Sequence, residues 1–135
     1  HWLFRAGRLK ASTATMQRYL ETTYNALKMK QAGNFHSWRI YQPELRELIR
    51  LGYPRDVVIS ALSDFVIGMQ CSWEYENTRR ELWYNGAIDH LRRAIMSTPK
   101  YAPPYSYLAY TYTTKGDSIL ARKHFELAKR MGFKG

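Results

Sequence analysis

The chain has a single cysteine, Cys71, in 135 residues. An intrachain disulfide is thereby excluded, and so is a thiolate zinc site, which needs several ligands at short spacing. The lone thiol fits a reducing compartment without excluding an oxidising one, and the cytoplasm is the default expectation. No apolar run reaches the ~20 residues that a membrane helix needs, and no signal peptide is visible. A start at His1 rather than methionine is what a piece processed or cut from a longer product would show. Gly-rich phosphate loops, zinc-type histidine pairs and nucleophile signatures are absent. No cofactor or metal is therefore expected, and nothing marks an enzyme. Sustained apolar–polar alternation is also missing, which leaves essentially no sheet. No linker or low-complexity stretch divides the chain, and its length suits one helical domain spanning 1–135.

Acid is the scarce charge. Twenty-one basic residues face eleven acidic ones, for a net charge of +10. Residues 1–40 carry seven basic and one acidic, residues 41–78 three and six, and residues 79–135 eleven and four. Two basic ends thus flank a mildly acidic middle, a balance that favours an acidic partner: protein, nucleic acid or lipid headgroups. Aromatics are plentiful at 15%, mostly through eleven tyrosines. Tyrosine suits half-buried faces, with an apolar ring and a wet hydroxyl.

A short pattern recurs after 34 residues. Ala87, His90, Leu91 and Ala94 are followed by Ala121, His124, Phe125 and Ala128. A fixed period of this length with helical spacing marks stacked helix-turn-helix units, which bury their apolar faces only against neighbours. Residues 102–135 resemble one complete tetratricopeptide repeat. Tyr105, Leu108 and Ala109 stand at the aromatic, leucine and small positions of its first helix, followed by Tyr112. Lys115-Gly116-Asp117 makes the turn, with Gly116 as stop and Asp117 as N-cap. Ala121, Phe125 and Ala128 fill the small-large-small positions of the second helix. Small residues let helices approach, and large ones plug the gap. Upstream, Tyr84, Ala87, Leu91, Ala94 and Pro99 resemble the second helix of a preceding repeat over 82–99. Its first helix does not match: Cys71, Glu74 and Tyr75 hold the expected positions, so either the helices are longer with an altered turn or the neighbour is divergent. Leu3 to Leu9, around Gly7, is a fainter echo.

The resemblance implies an all-α fold of antiparallel helix-turn-helix repeats, about six helices in all. It also implies a concave groove lined by Pro103, Ser106, Tyr110 and Thr113, where an extended peptide would be held by stacking and hydroxyl hydrogen bonds. Ser106 and Tyr110 stand where a carboxylate-gripping groove of this family carries lysines, arginines and asparagines, so that use is not expected. His90 and His124 fall on the outer face of the second helices in this scheme, as surface residues rather than ligands. The same face gathers a basic patch of Arg92, Arg93, Lys123 and Arg130.

Elsewhere the reading is local. Ser12 caps a helix to about Gln31, with Met16, Tyr19, Leu20, Thr23, Tyr24 and Leu27 on one face, ended by Gly33-Asn34. Residues 34–42 form a loop bearing Phe35, Trp38, Ile40 and Tyr41. Pro43 opens a short helix with Leu45, Leu48 and Ile49 inward and Gly52 after its stop. Pro54 opens a longer one with Val58, Ala61, Leu62, Phe65 and Met69 as its stripe. Thr78-Arg79-Arg80-Glu81 has the form of a capping box, so a helix starts there; alternatively it starts at Trp83, with Asn85-Gly86 a weak spot inside it. Glu44 with Glu47, and Glu74 with Thr78, are expected to be solvated. Cys71, with no base beside it, is expected to be buried or inert.

These features point to a protein–protein interaction module, an adaptor, scaffold or assembly factor for an acidic protein or peptide. The alternative is a basic helical domain gripping RNA or DNA phosphates without sequence readout. A third reading takes His1-Trp2-Leu3-Phe4, followed by Arg5, Arg8 and Lys10, as the trailing end of a membrane segment. The chain would then be the soluble tail of a larger membrane or envelope protein, in the periplasm or beside a membrane. The final Met131-Gly132-Phe133-Lys134-Gly135 is too short to cap the last hairpin. An apolar outer edge, with Phe133 folded over it, and self-association through that edge are therefore expected.

Overall fold

The computed structural model describes residues 42–132. Among these the chain is all-helical, with five helices and no strand: α1 (Gln42–Arg50), α2 (Arg55–Thr78), α3 (Glu81–Ser97), α4 (Pro103–Lys115) and α5 (Ser118–Arg130). The expected Ser12–Gln31 helix, the loop up to Tyr41, the His1–Lys10 segment and Phe133 lie outside the described residues.

Proline and glycine punctuate the helices. Pro54 precedes α2 in an extended conformation, and its carbonyl accepts the first helical bond from Val58 N–H at 2.9 Å. The paired Pro103-Pro104 opens α4, where a missing N–H costs nothing because no partner exists in the first turn. Gly116 closes α4 at φ +95, and its N–H and that of Asp117 satisfy the last carbonyls. Asp117 then caps α5, its carboxylate accepting from Leu120 N–H at 3.1 Å.

One junction departs from the expected chemistry. Thr78 is the last residue of α2, not an N-cap; its hydroxyl donates back to Glu74 O at 2.8 Å. The chain reverses at Arg79, a non-glycine residue in the left-handed region at φ 58. Arg79 is anchored by a hydrogen bond from its guanidinium to Thr114 O at 2.6 Å and by the Tyr75 ring beneath it at 5.9 Å. Glu81, read as half of a capping box, instead pairs with Lys115 at 2.6 Å. Local spacing permitted the box; long-range partners for Arg79 and Glu81 displaced it.

Helix α2 is the centre of the molecule. From Val58 to Tyr75 nearly every position is buried, including Ser63, Asp64, Gln70 and Ser72. A single apolar stripe therefore understates it, because neighbours cover it on all sides. Its contact with α3 is the most extensive in the described chain. Partners pair with falling and rising numbers, so the two run antiparallel: Tyr75 with Tyr84, Cys71 with Gly86, and Gly68 with Leu91. Helix α4 packs on α2 through aromatic edges, Phe65 against Tyr107 at 5.7 Å and Trp73 against Tyr107 at 6.5 Å. Buried Ser72 and Thr111 add a hydroxyl bond of 2.9 Å. Helix α5 folds back on α4 after the Gly116-Asp117 turn. In α1, Leu45 and Leu48 are buried, but Ile49 is 53% exposed rather than inward.

Candidate functional site

The expected peptide groove does not open along its stripe. Ser106 has no exposed surface, and its hydroxyl donates to Pro103 O at 2.8 Å. Tyr110 is half-buried and its hydroxyl donates to the Glu76 carboxylate on α2. Pro103 is half-buried, while Thr113 is exposed with its hydroxyl turned onto Ala109 O at 2.8 Å. The physical reason lies in α4 itself. Pro104, Tyr105, Ser106, Tyr107, Leu108 and Ala109 are buried in succession. At about 100° per residue such a run points in every direction, so no face of the first half of α4 is left for a ligand.

The basic patch also divides. Arg92 donates to the Tyr112 hydroxyl at 3.1 Å, and Arg93 pairs with Asp89 at 3.0 Å. Lys123 and Arg130 lie instead on the outer face of α5, in a groove they share with Ser118, Ile119, Arg122 and Leu127. Arg122 is thus a better companion for Lys123 and Arg130 than either arginine of α3.

Residues assigned to packing sit in the interior, with one correction. Ala87, Leu91, Ala94, Tyr105, Leu108, Ala109, Tyr112, Ala121 and Ala128 are buried. Phe125 is only half-buried and does not join the core cluster. Among the described helices α5 packs mainly on α4, so its large residue has less to plug.

Both histidines are half-buried, each with Nδ1 at hydrogen-bonding distance from a protein oxygen. His124 Nδ1 lies 2.8 Å from Leu120 O, with the ring against Tyr112 at 5.1 Å. His90 Nδ1 lies 3.0 Å from Asp64 Oδ1, across the α2–α3 contact. A buried carboxylate requires a hydrogen-bonding partner, and Asp64 is 7% exposed. His90→Ala should therefore destabilise by about 2 kcal/mol through the orphaned carboxylate. Asp64→Asn should restore part of this in the His90→Ala background, as urea denaturation of the four proteins would show.

Glu44, expected to be solvated, is 4% exposed, and burial pushes its carboxyl above the usual range. Glu47 is half-exposed, held down by its bond to Arg50. Glu74 is half-buried and accepts from Gln70 Nε2 at 3.2 Å. Near the α2–α3 turn, Lys115 sits 4.6 Å above the Tyr84 ring while paired to Glu81, a cation–aromatic cluster that the sequence pattern did not single out. Cys71 is buried, and burial pushes its thiol up to about 11. At pH 8 only about a thousandth is thiolate, the reactive form. A thiol-specific chromogenic reagent should leave the native protein unlabelled over minutes and titrate one thiol in denaturant.

The outer edge of the last hairpin is less apolar than expected. Ile119 is 82% exposed, but its neighbours Ser118, Arg122, Lys123, Glu126 and Arg130 are polar or charged. Among the described residues that line this groove, the apolar surface that self-association would need comes from Ile119 and half-buried Leu127. Among the described residues no helix is long and apolar enough to cross a membrane. No group of three or more His, Cys, Asp or Glu among them is placed to hold a metal. No family model matches the chain, and no curated protein or solved structure matches it either.

Proposed function

We propose that this chain is a protein–protein interaction module in which tetratricopeptide-like hairpins stack, α2 with α3 and α4 with α5. One observation carries the reading. Contacts between α2 and α4 fall at or near the sequence period: Glu76 with Tyr110 at 34 residues and Ser72 with Thr111 at 39, with Arg79 in the reversal after α2 bonded to Thr114 at 35. From Phe65 with Tyr107, through Glu76 with Tyr110, to Arg79 with Thr114 just past the end of α2, sequence numbers rise together, which supports α2 and α4 lying parallel and side by side. Stacked units of this kind present extended surfaces and serve as scaffolds rather than catalysts. The longer α2 and the left-handed Arg79 account for the poor sequence match of the first unit, since the reversal occurs at a different place.

The test is capture. The full chain, immobilised, is offered a displayed library of random 16-residue peptides and, separately, single-stranded RNA at physiological salt. Enrichment of a peptide consensus with weak RNA binding supports the module. Tight RNA binding that falls steeply with salt, without peptide enrichment, would transfer the protein to the phosphate-binding reading.

A further inference from the structure

Helix α5 breaks the pattern of its counterpart. Helix α3 carries Tyr84, Ile88 and Ile95 half-buried against the core. Thirty-four residues later stand Ser118, Arg122 and Lys129, all exposed. A further helix of the same array would find charge where α4 finds apolar surface beside α3. The outer face of α5 is thus shaped for something other than a stacking neighbour.

The groove on that face has a volume of about 590 Å³, room for a few side chains of a partner rather than a single small group. It mixes two chemistries. Arg122, Lys123 and Arg130 supply cations against one acid, Glu126, which itself lies 3.9 Å from Lys129. Ile119, at the N-terminal end, is 82% exposed. In helical projection Ile119 lies between Arg122 and Lys123, near the middle of the face, with Leu127 at its margin. An exposed β-branched apolar residue ringed by cations suits a ligand with an apolar anchor among acids. A phosphate backbone would gain nothing from Ile119, while Glu126 repels phosphate and carboxylate alike and is offset by the three cations around it.

We infer that the outer face of α5 docks an acidic amphipathic peptide segment, an apolar side chain seated on Ile119 and carboxylates on Arg122, Lys123 and Arg130. The inference rests on the interaction-module reading and supplies it with a surface. Electrostatic complementarity sets encounter and register, and the apolar anchor supplies desolvated contact. The face spans 13 residues, roughly 20 Å, so a peptide of three to four helical turns matches it.

The peptides enriched on the full chain are measured against three variants: Ile119→Ser, the pair Arg122→Glu with Lys123→Glu, and Arg46→Glu, a charge reversal at an exposed position of α1. Circular dichroism checks that each remains folded; the altered residues on α5 are solvent-exposed. The expected result is a consensus rich in Asp and Glu around a Leu, Ile or Phe. Its binding should weaken at least tenfold in both α5 variants, change little in Arg46→Glu, and fall several-fold when salt is doubled. Enriched peptides that bind all variants equally would overturn the inference and leave the module intact. A face sensitive to the double reversal but not to Ile119→Ser, and binding oligouridine equally well, would overturn it in favour of a generic polyanion surface. Ile119-dependent self-association of the peptide-free protein would overturn it in favour of a second copy. No enriched peptide at all would remove both readings.

Discussion

Gly68→Ala should destabilise the protein by about 1–3 kcal/mol, although alanine is the better helix former. Gly68 lies inside α2, where the exchange alone would stabilise by about 1 kcal/mol. Tertiary packing reverses the sign. A Cβ at this position would lie 2.6 Å from Leu91 Cγ, 2.8 Å from Leu91 Cδ2 and 3.2 Å from Leu91 N. Leu91 is fully buried, so its side chain has no free space to turn into, and its backbone belongs to α3. The clash must then push α2 and α3 apart along their most extensive contact. Leu91→Ala alone should cost about 2–5 kcal/mol as a cavity. In the double variant the new methyl occupies part of that cavity, so its cost should be less than the sum of the two singles by more than about 1 kcal/mol. Additive costs in denaturant titrations would mean that Gly68 does not set the interhelix distance.

A second large effect is expected at Phe65. Its ring lies at near-perpendicular edges to Tyr101 at 5.8 Å and Tyr107 at 5.7 Å, and it is 2% exposed. It thereby joins α2 to α4 and to the connection that precedes α4. Truncation to alanine should cost about 3–5 kcal/mol, through lost burial, the cavity and two aromatic pairs. That is a large share of the total stability of a small domain, so Phe65→Ala should be partly unfolded at 37 °C. Phe65→Leu should retain most of the burial and lose only the edge contacts. Met96→Ala, at a position 81% exposed, should change stability by less than about 0.5 kcal/mol. A thermal melt in which Phe65→Ala and Met96→Ala behave alike would show that α2 and α4 are not held together through this ring.

The positions of Gly68 and Ser106 mark where sequence reasoning stops. A glycine within a helical pattern reads as a weak point until the partner helix is known, and only Leu91 across the contact gives Gly68 its meaning. Ser106 falls on a helical stripe of small and polar residues, which reads as an open face. The succession of buried positions from Pro104 to Ala109 shows that neighbours close it. Periodicity reveals which side of a helix differs from the other; it does not reveal how many sides are covered.

Local chemistry was sufficient for several features of this protein. All-helical character follows from three- and four-residue apolar spacing, and the Gly116-Asp117 reversal from a glycine that tolerates positive φ beside a carboxylate that caps. Buried alanines at 87 and 94 on α3, and at 121 and 128 on α5, follow from a spacing that returns each pair to one face of its own helix. Tertiary structure alone decided the rest. It carried Glu44 and Asp64 into the interior, turned His90 onto Asp64, and made Thr78 the end of one helix rather than the start of another. It also left Ile119 standing among Arg122, Lys123 and Arg130 on the exposed face of α5. Each of these depends on a neighbour distant along the chain, and the free energy of a polar or apolar group is set by what replaces water around it.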